Sequence, residues 1–192
     1  YCIINNMKQK KALLIGINYE NNDKQKLKGC INDANLLKNF IKTSLDYKEN
    51  NITMMTEISD KSNTKSINIT PTKENILNQM QKLFSLENTE MFLSYSGHGS
   101  YSYSSNSPEL DKRDEYLVSS DNEFIKDDEI RTLINNFMPK SSNLFIIMDA
   151  CNSGTNFDLP YKYVNQNVSK TGEDVGNLPY IIKLSSSKDN QL

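Results

Sequence analysis

The chain has 192 residues, with 22 basic against 24 acidic side chains and a net charge of −2, a length that suits one domain with a real hydrophobic core. Both signs are mixed throughout, which leaves no basic stripe for a nucleic acid or an anionic membrane, and no apolar run approaches the ~20 residues of a spanning helix. Three widely spaced cysteines, Cys2, Cys30 and Cys151, make neither a disulfide framework nor a zinc site, so a reducing, cytoplasmic setting is expected. The Asn-x-Ser/Thr triplets at Asn51, Asn68 and Asn167 are those that an asparagine-rich chain produces by chance. Tyr1 in place of an initiator methionine reads as a fragment, and no charged-then-apolar signal segment opens it.

In chain order, residues 12–17 read as a buried strand, and Leu36, Leu37, Phe40 and Ile41 as the apolar face of a helix. Residues 52–55 form a second strand, followed by a polar loop over 59–69. Thr70 before Pro71 is a helix start, with Ile76, Leu77, Met80 and Leu83 on the apolar side. Residues 91–95 make a third strand that ends at Ser96-Gly97-His98-Gly99-Ser100. A Ser/Tyr-rich loop over 100–108 and a short edge strand at 116–118 come next. Ile130, Leu133, Ile134 and Phe137 recur at helical spacing. Residues 144–148 are a fourth buried strand ending at Asp149-Ala150-Cys151. Residues 161–177 read as a polar linker and 180–184 as a fifth strand. There is no internal repeat.

Apolar strands alternating with helices predict an α/β fold, a three-layer αβα sandwich around a mainly parallel sheet. Such sheets place their sites beyond the C-terminal ends of strands. His98, the single histidine, and Cys151 both occupy such ends. A lone histidine is more often a solvated loop residue, and a cysteine a buried inert thiol. Here the histidine sits between two glycines, where a ligand can approach the backbone, and Asn152-Ser153-Gly154 after the cysteine reads as a loop tip. A thiol becomes a nucleophile when an imidazole takes its proton, and the imidazolium then protonates the leaving amine. Amide groups of Gly99 and Cys151 could cradle the oxyanion. With no obvious carboxylate partner, a backbone carbonyl is left to orient His98.

The sequence resembles the metacaspases, caspase-like cysteine peptidases. Tyr95-Ser96-Gly97-His98-Gly99 and Asp149-Ala150-Cys151-Asn152-Ser153-Gly154 are joined by Gly29-Cys30-Ile31-Asn32-Asp33-Ala34, Asp114-Glu115-Tyr116-Leu117-Val118, Asp127-Asp128-Glu129-Ile130 and Asp158-Leu159-Pro160-Tyr161, in the family's order. His98 lies 53 positions before Cys151, against the roughly 50 of the caspase signature. One departure is Asn152, where the family has histidine after the nucleophile. The resemblance implies a caspase-like fold: a single domain over 1–192, with an N-terminal extension over 1–11, a large-subunit-like region over 12–160, a linker over 161–177 and the start of a small-subunit-like region over 178–192. It also implies a Cys151/His98 dyad with Gly99 beside it.

Asp33, Ser96 and Asp149 match the residues that line the family's specificity pocket. Two carboxylates and a hydroxyl suit Arg or Lys before the cut and repel Asp. Asp33 reads equally well as the N-cap of the helix carrying Leu36 and Leu37. Asp114, Asp127, Asp128 and Asp158 match positions where calcium-dependent metacaspases bind Ca²⁺, a cation that takes several oxygen ligands. Asp127 and Asp128 also suit a helix N-terminus by charge alone, and Asp114 a surface loop. Cys30 reads as a small buried hydrophobe or an auxiliary thiol. The expected partners are peptide or protein substrates, with no nucleic acid or membrane, bound by a monomer. The rival readings are a non-catalytic scaffold of the same fold and a nucleotide-binding domain. The latter would need a glycine-rich phosphate loop where Gly16-Ile17-Asn18 stands.

Overall fold

A computed structural model describes residues 8–57, 67–103, 113–151, 157, 159, 161–164, 166–170 and 179–186. Its centre is β1, Gln9–Gly16, whose apolar run is buried as a strand covered on both faces must be. β1 pairs in parallel with β2, Ile52–Thr56, on one side and β4, Thr89–Ser96, on the other. β3, Ile67–Ile69, extends the β2 flank. β8, Asn143–Asp149, and β11, Tyr180–Ser185, extend the β4 flank. The six strands run in the order β11-β8-β4-β1-β2-β3. The chain builds outward from β1 one way, then returns to build the other way, so the switch point lies between β1 and β4. Open parallel sheets bind ligands at such a point, beyond the strands' C-terminal ends.

Among the described residues three α-helices accompany the sheet. α1, Cys30–Ser44, packs on β1, β2 and β4. Its buried stripe is Cys30, Ala34 and Ile41, with Leu37 partly buried beside them. These positions recur at i, i+4, i+7 and i+11, a single helical stripe. Leu36 and Phe40, expected on that face, lie one row aside and are 58% and 49% exposed. α2, Lys73–Phe84, starts two residues later than expected at Thr70, because the Thr72 hydroxyl accepts the Asn75 N–H at 3.3 Å and caps it. Ile76, Met80, Leu83 and Phe84 are its buried residues. α3, Asp127–Phe137, packs against α2 and buries Ile130 and Ile134.

A second, antiparallel sheet follows the histidine. β5, Gly99–Tyr103, pairs with β6, Arg113–Val118, which pairs with β7, Phe124–Lys126. Part of the expected loop over 100–108 is therefore strand, and β6 is the middle of three strands rather than an edge. Alternating Ser and Tyr in β5 satisfy their backbone by pairing, which a composition reading as loop does not reveal. Likewise Ile67–Ile69, at the end of the expected 59–69 loop, is strand β3, and the expected linker contains a hairpin, β9, Tyr161–Val164, with β10, Asn167–Lys170.

Candidate active site

The register at the C-terminal end of the sheet sets the site. Gly16 of β1 lies opposite Ser96 of β4, and Ser96 opposite Asp149 of β8. Gly97 donates its N–H to the Asp149 carbonyl at 3.2 Å, and Ile17 to that of Ser96 at 3.0 Å. The loops leaving β4 and β8 then run against each other. A Cβ placed on Gly99 would sit 2.1 Å from the Cys151 carbonyl oxygen, so only glycine lets the backbone after His98 meet the backbone of Cys151. His98 is half-buried, and Cys151 is a free, partly exposed thiol. Phe157, fully buried in the main core, anchors the chain beyond Cys151.

His98 is held on several sides. Its Nε2 lies 2.6 Å from the Gln25 carbonyl oxygen. That oxygen can only accept, so Nε2 carries the hydrogen and Nδ1 is left able to take a proton. The His98 N–H donates to the Tyr19 hydroxyl at 2.8 Å, and the Tyr19 ring stacks on the imidazole with centroids 4.6 Å apart. The Tyr95 hydroxyl lies 2.8 Å from the His98 carbonyl oxygen and 2.8 Å from that of Val118, and can donate to either. The Tyr19 hydroxyl also reaches the Val118 carbonyl, at 2.7 Å. Burial pushes the Tyr19 hydroxyl up to about 12 and that of Tyr95 well above the ordinary tyrosine value, so both stay neutral donors. The sequence alone does not show which carbonyl orients His98, nor that the Tyr19 and Tyr95 hydroxyls hold its backbone. The signal available was their place beside the strand ends, Tyr19 just past β1 and Tyr95 within the histidine motif.

Asp33, Ser96 and Asp149 line a single pocket of about 460 Å³, with Leu36, Leu37, Ile147, Leu184 and Ser185 among its walls. The Ser96 hydroxyl donates to Asp33 Oδ2 at 3.3 Å. Asp33 is not the N-cap of α1: the helix begins at Cys30 with Gly29 as its cap, and Asp33 lies inside the first turn with its carboxylate turned to β4. Asp149 is exposed at the rim. Cys30 lies at the base of α1, against Gly16, whose added Cβ would stand 2.4 Å from the Cys30 carbonyl oxygen. Burial pushes the Cys30 thiol up, and a hydrogen bond with Ser96 partly offsets that.

The carboxylates matched to calcium are not gathered among the described residues. Asp158 and the side chain of Asp114 lie outside them, as do Cys2 and Asn152. Asp127 and Asp128 open α3, but Asp127 is buried and Asp128 exposed. Asp127 Oδ1 accepts the Asp128 N–H at 2.9 Å. Among the described residues, no group of three or more His, Cys, Asp or Glu side chains is arranged to hold a metal ion. Nor is any described helix long and apolar enough to cross a membrane.

A family model described as "Metacaspase, peptidase C14 domain" matches residues 10–160. The chain is 38% identical over 176 residues to Metacaspase-1 of Eremothecium gossypii, covering 88% of this chain and 38% of that one. It is 36% identical over 177 residues to Metacaspase-1 of Candida glabrata, covering 88% of this chain and 44% of that one. The chain thus spans less than half the length of these two curated relatives. The crystal structure of protein GSU0716 from Geobacter sulfurreducens superposes with a TM-score of 0.62 at 21% identity, over 95% of this chain and 74% of that one, a likeness of fold alone.

Proposed function

The chain belongs to the metacaspase, peptidase C14, family, and from that membership we propose that it carries the catalytic centre of a cysteine endopeptidase, with Cys151 as nucleophile and His98 as acid–base partner. The observation that supports this most is the contact of the Gly99 and Cys151 backbones, which brings the chain's single histidine and a free, partly exposed cysteine onto abutting loops. In the proposed reaction His98 Nδ1 takes the thiol proton while its Nε2–H stays on the Gln25 carbonyl. The thiolate sulfur bonds to the scissile carbonyl carbon, and the C–N bond breaks as the imidazolium gives its proton to the leaving amine. Water, deprotonated by the same imidazole, then releases the acid and restores the thiol. Gly99 and Cys151 amide groups are assigned to the oxyanion.

The pocket of Asp33, Ser96 and Asp149 is proposed to take Arg or Lys on the acyl side of the cut. Two carboxylates in one concavity whose walls include Leu36, Leu37, Ile147, Met148 and Leu184 favour a long apolar stem with a cationic head. A peptide-cleavage assay on purified protein tests both parts. Cys151→Ala should abolish turnover and His98→Ala nearly so, while Cys30→Ala leaves it intact. Turnover by Cys151→Ala protein would exclude the assignment. Failure of the unaltered protein to react with an electrophilic peptide ending in Arg would favour a binding scaffold of the same fold.

Calcium is proposed as an activator only. Asp114, Asp127, Asp128 and Asp158 offer the hard carboxylate oxygens that Ca²⁺ takes, and a bound ion would supply charge to order loops around the substrate. Proton transfer and attack belong to His98 and Cys151. Calorimetry of Ca²⁺ added to Cys151→Ala protein checks this apart from turnover, and no heat at millimolar ion would remove the ion from the proposal. A monomer acting on protein substrates in the cytoplasm completes the reading.

A further inference from the structure

The loop between β1 and α1 meets His98 twice, through the Gln25 carbonyl at Nε2 and the Tyr19 hydroxyl at the peptide N–H. Yet Gln25 itself is exposed, and residues 17–29 form no helix or strand of their own. The buried Ile17 and Tyr19 hold the start of the loop to the core, and a further anchor comes from the neighbouring strand. Glu57 follows β2, and its carboxylate receives three successive backbone amides. Oε2 accepts from Asn18 at 2.7 Å and Tyr19 at 2.8 Å, and Oε1 accepts from Glu20 at 3.0 Å. Consecutive N–H groups converging on one anion require a turned backbone, and Tyr19 supplies it with φ +56°. The anchorage passes along the loop by Asn22 N–H to Tyr19 O at 2.9 Å, Gln25 N–H to Asn22 O at 2.9 Å, and Leu27 N–H to Asn18 O at 2.7 Å.

We propose that Glu57 is a positioning residue for His98: by clamping the amides of residues 18–20 it fixes the loop whose Tyr19 hydroxyl and Gln25 carbonyl set the place and tautomer of the imidazole. The inference rests on His98 being the acid–base group of the proposed peptidase. Three charge-assisted hydrogen bonds on one carboxylate are strong for a residue near the surface, and they lie on the far side of β1 from β8 and its nucleophile. A carboxylate that only stabilised β2 would have no reason to spend both oxygens on the β1 loop. Losing it frees Gln25, and the imidazole then loses the acceptor that keeps hydrogen on Nε2.

Because His98 is the single histidine, protein labelled with [¹⁵N]histidine and carrying no histidine tag shows one imidazole. The unaltered protein should give two well-separated ring nitrogens, with Nε2 protonated. In Glu57→Ala the two signals should move toward the averaged positions of a free imidazole. The kcat for a basic peptide should fall about ten- to a hundredfold with KM nearly unchanged, the scale of a misplacement on the order of 1 Å. Glu57→Gln keeps one carbonyl oxygen for two of the amides and should fall between; it also serves if Glu57→Ala does not fold. Glu49→Ala, which breaks ion pairs to Lys38 and Lys42 beside the start of β2, should leave the imidazole signals in place. Unchanged imidazole signals in Glu57→Ala, with or without loss of turnover, would overturn the proposal. If the unaltered protein cleaves nothing, the peptidase reading fails while the nitrogen signals still decide whether Glu57 sets His98.

Discussion

A methyl group added at Gly99 would stand 2.1 Å from the Cys151 carbonyl oxygen and 3.2 Å from the Ala150 Cβ. Carbon and carbonyl oxygen rest about 3.3 Å apart at closest, so Gly99→Ala must open this contact by about 1 Å. The described glycines have no positive φ, hence alanine suits the backbone conformation and the cost is steric alone. Neither side yields easily, since β4 and β8 are in register from Glu90–Asn143 to Ser96–Asp149. Overpacking of this kind costs about 1–3 kcal/mol, and for a domain of this size each kcal/mol lowers Tm by about 2–4 °C. The loss of turnover should be larger than the loss of stability implies, because shifting Cys151 by about 1 Å from His98 costs on the order of a hundredfold in rate. Thermal melts and kcat/KM on a basic peptide measure the two effects. Gly29→Ala is the control: its Cβ would meet only Asp33 Oδ2, at an ordinary 3.5 Å, and it should melt within a few degrees of the parent. A Gly99→Ala protein with parental Tm and turnover would refute the reasoning.

Asp149→Ala should lower kcat/KM on Arg and Lys peptides by roughly 10- to 150-fold, the scale of a lost hydrogen bond to a charged group of ~1.5–3 kcal/mol; efficient cleavage after Asp by the parent would contradict the pocket assignment. Cys30, pushed up by burial, holds less thiolate at pH 8 than an ordinary cysteine, so iodoacetamide followed by peptide mass spectrometry should find it modified much more slowly than Cys151. Burial holds Tyr19 and Tyr47 at about 12 and Tyr95 well above its ordinary value, whereas the unfolded chain ionises near 10. Their contribution to stability is whole below pH 10 and is lost as pH rises toward 12, so denaturant midpoints should hold between pH 8 and 9.5 and drop steeply above 10.

Much of the architecture is legible in the sequence because the buried parallel strands are near-continuous apolar runs: residues 52–55, 91–95 and 144–148, and all of 12–17 except Ile17, fall within strands of the six-stranded sheet. Strands whose stability comes from pairing rather than burial are not legible: β5, with Ser and Tyr alternating, and the exposed β10 carry no apolar signature. The loop-end positions of His98 and Cys151 follow from their strands. The support around His98 does not, because Gln25 and Glu57 act through a backbone carbonyl and backbone amides. Such roles depend on where the chain passes, not on a residue type recurring at a fixed spacing. Asp33 shows a third case. Its residue type fits both a cap and a pocket, and only the start of α1 at Cys30 separates them.

The strand order also bears on how this chain folds. From β1, the strands β4, β8 and β11 are added to one flank in the sequence in which they occur along the chain. Each docks onto an edge already made, so the long-range contacts accumulate stepwise rather than waiting for one late closure. On a ribosome, where the N-terminal part emerges first, β1, β2 and β4 can associate while Cys151 is still being made. The histidine side of the cleft is then moulded before Cys151 reaches it, and Cys151 meets the histidine loop only when β8 takes its place beside β4. The proposed nucleophile is thus presented only to a histidine loop already in place, and β11, which closes the pocket with Leu184 and Ser185, docks last.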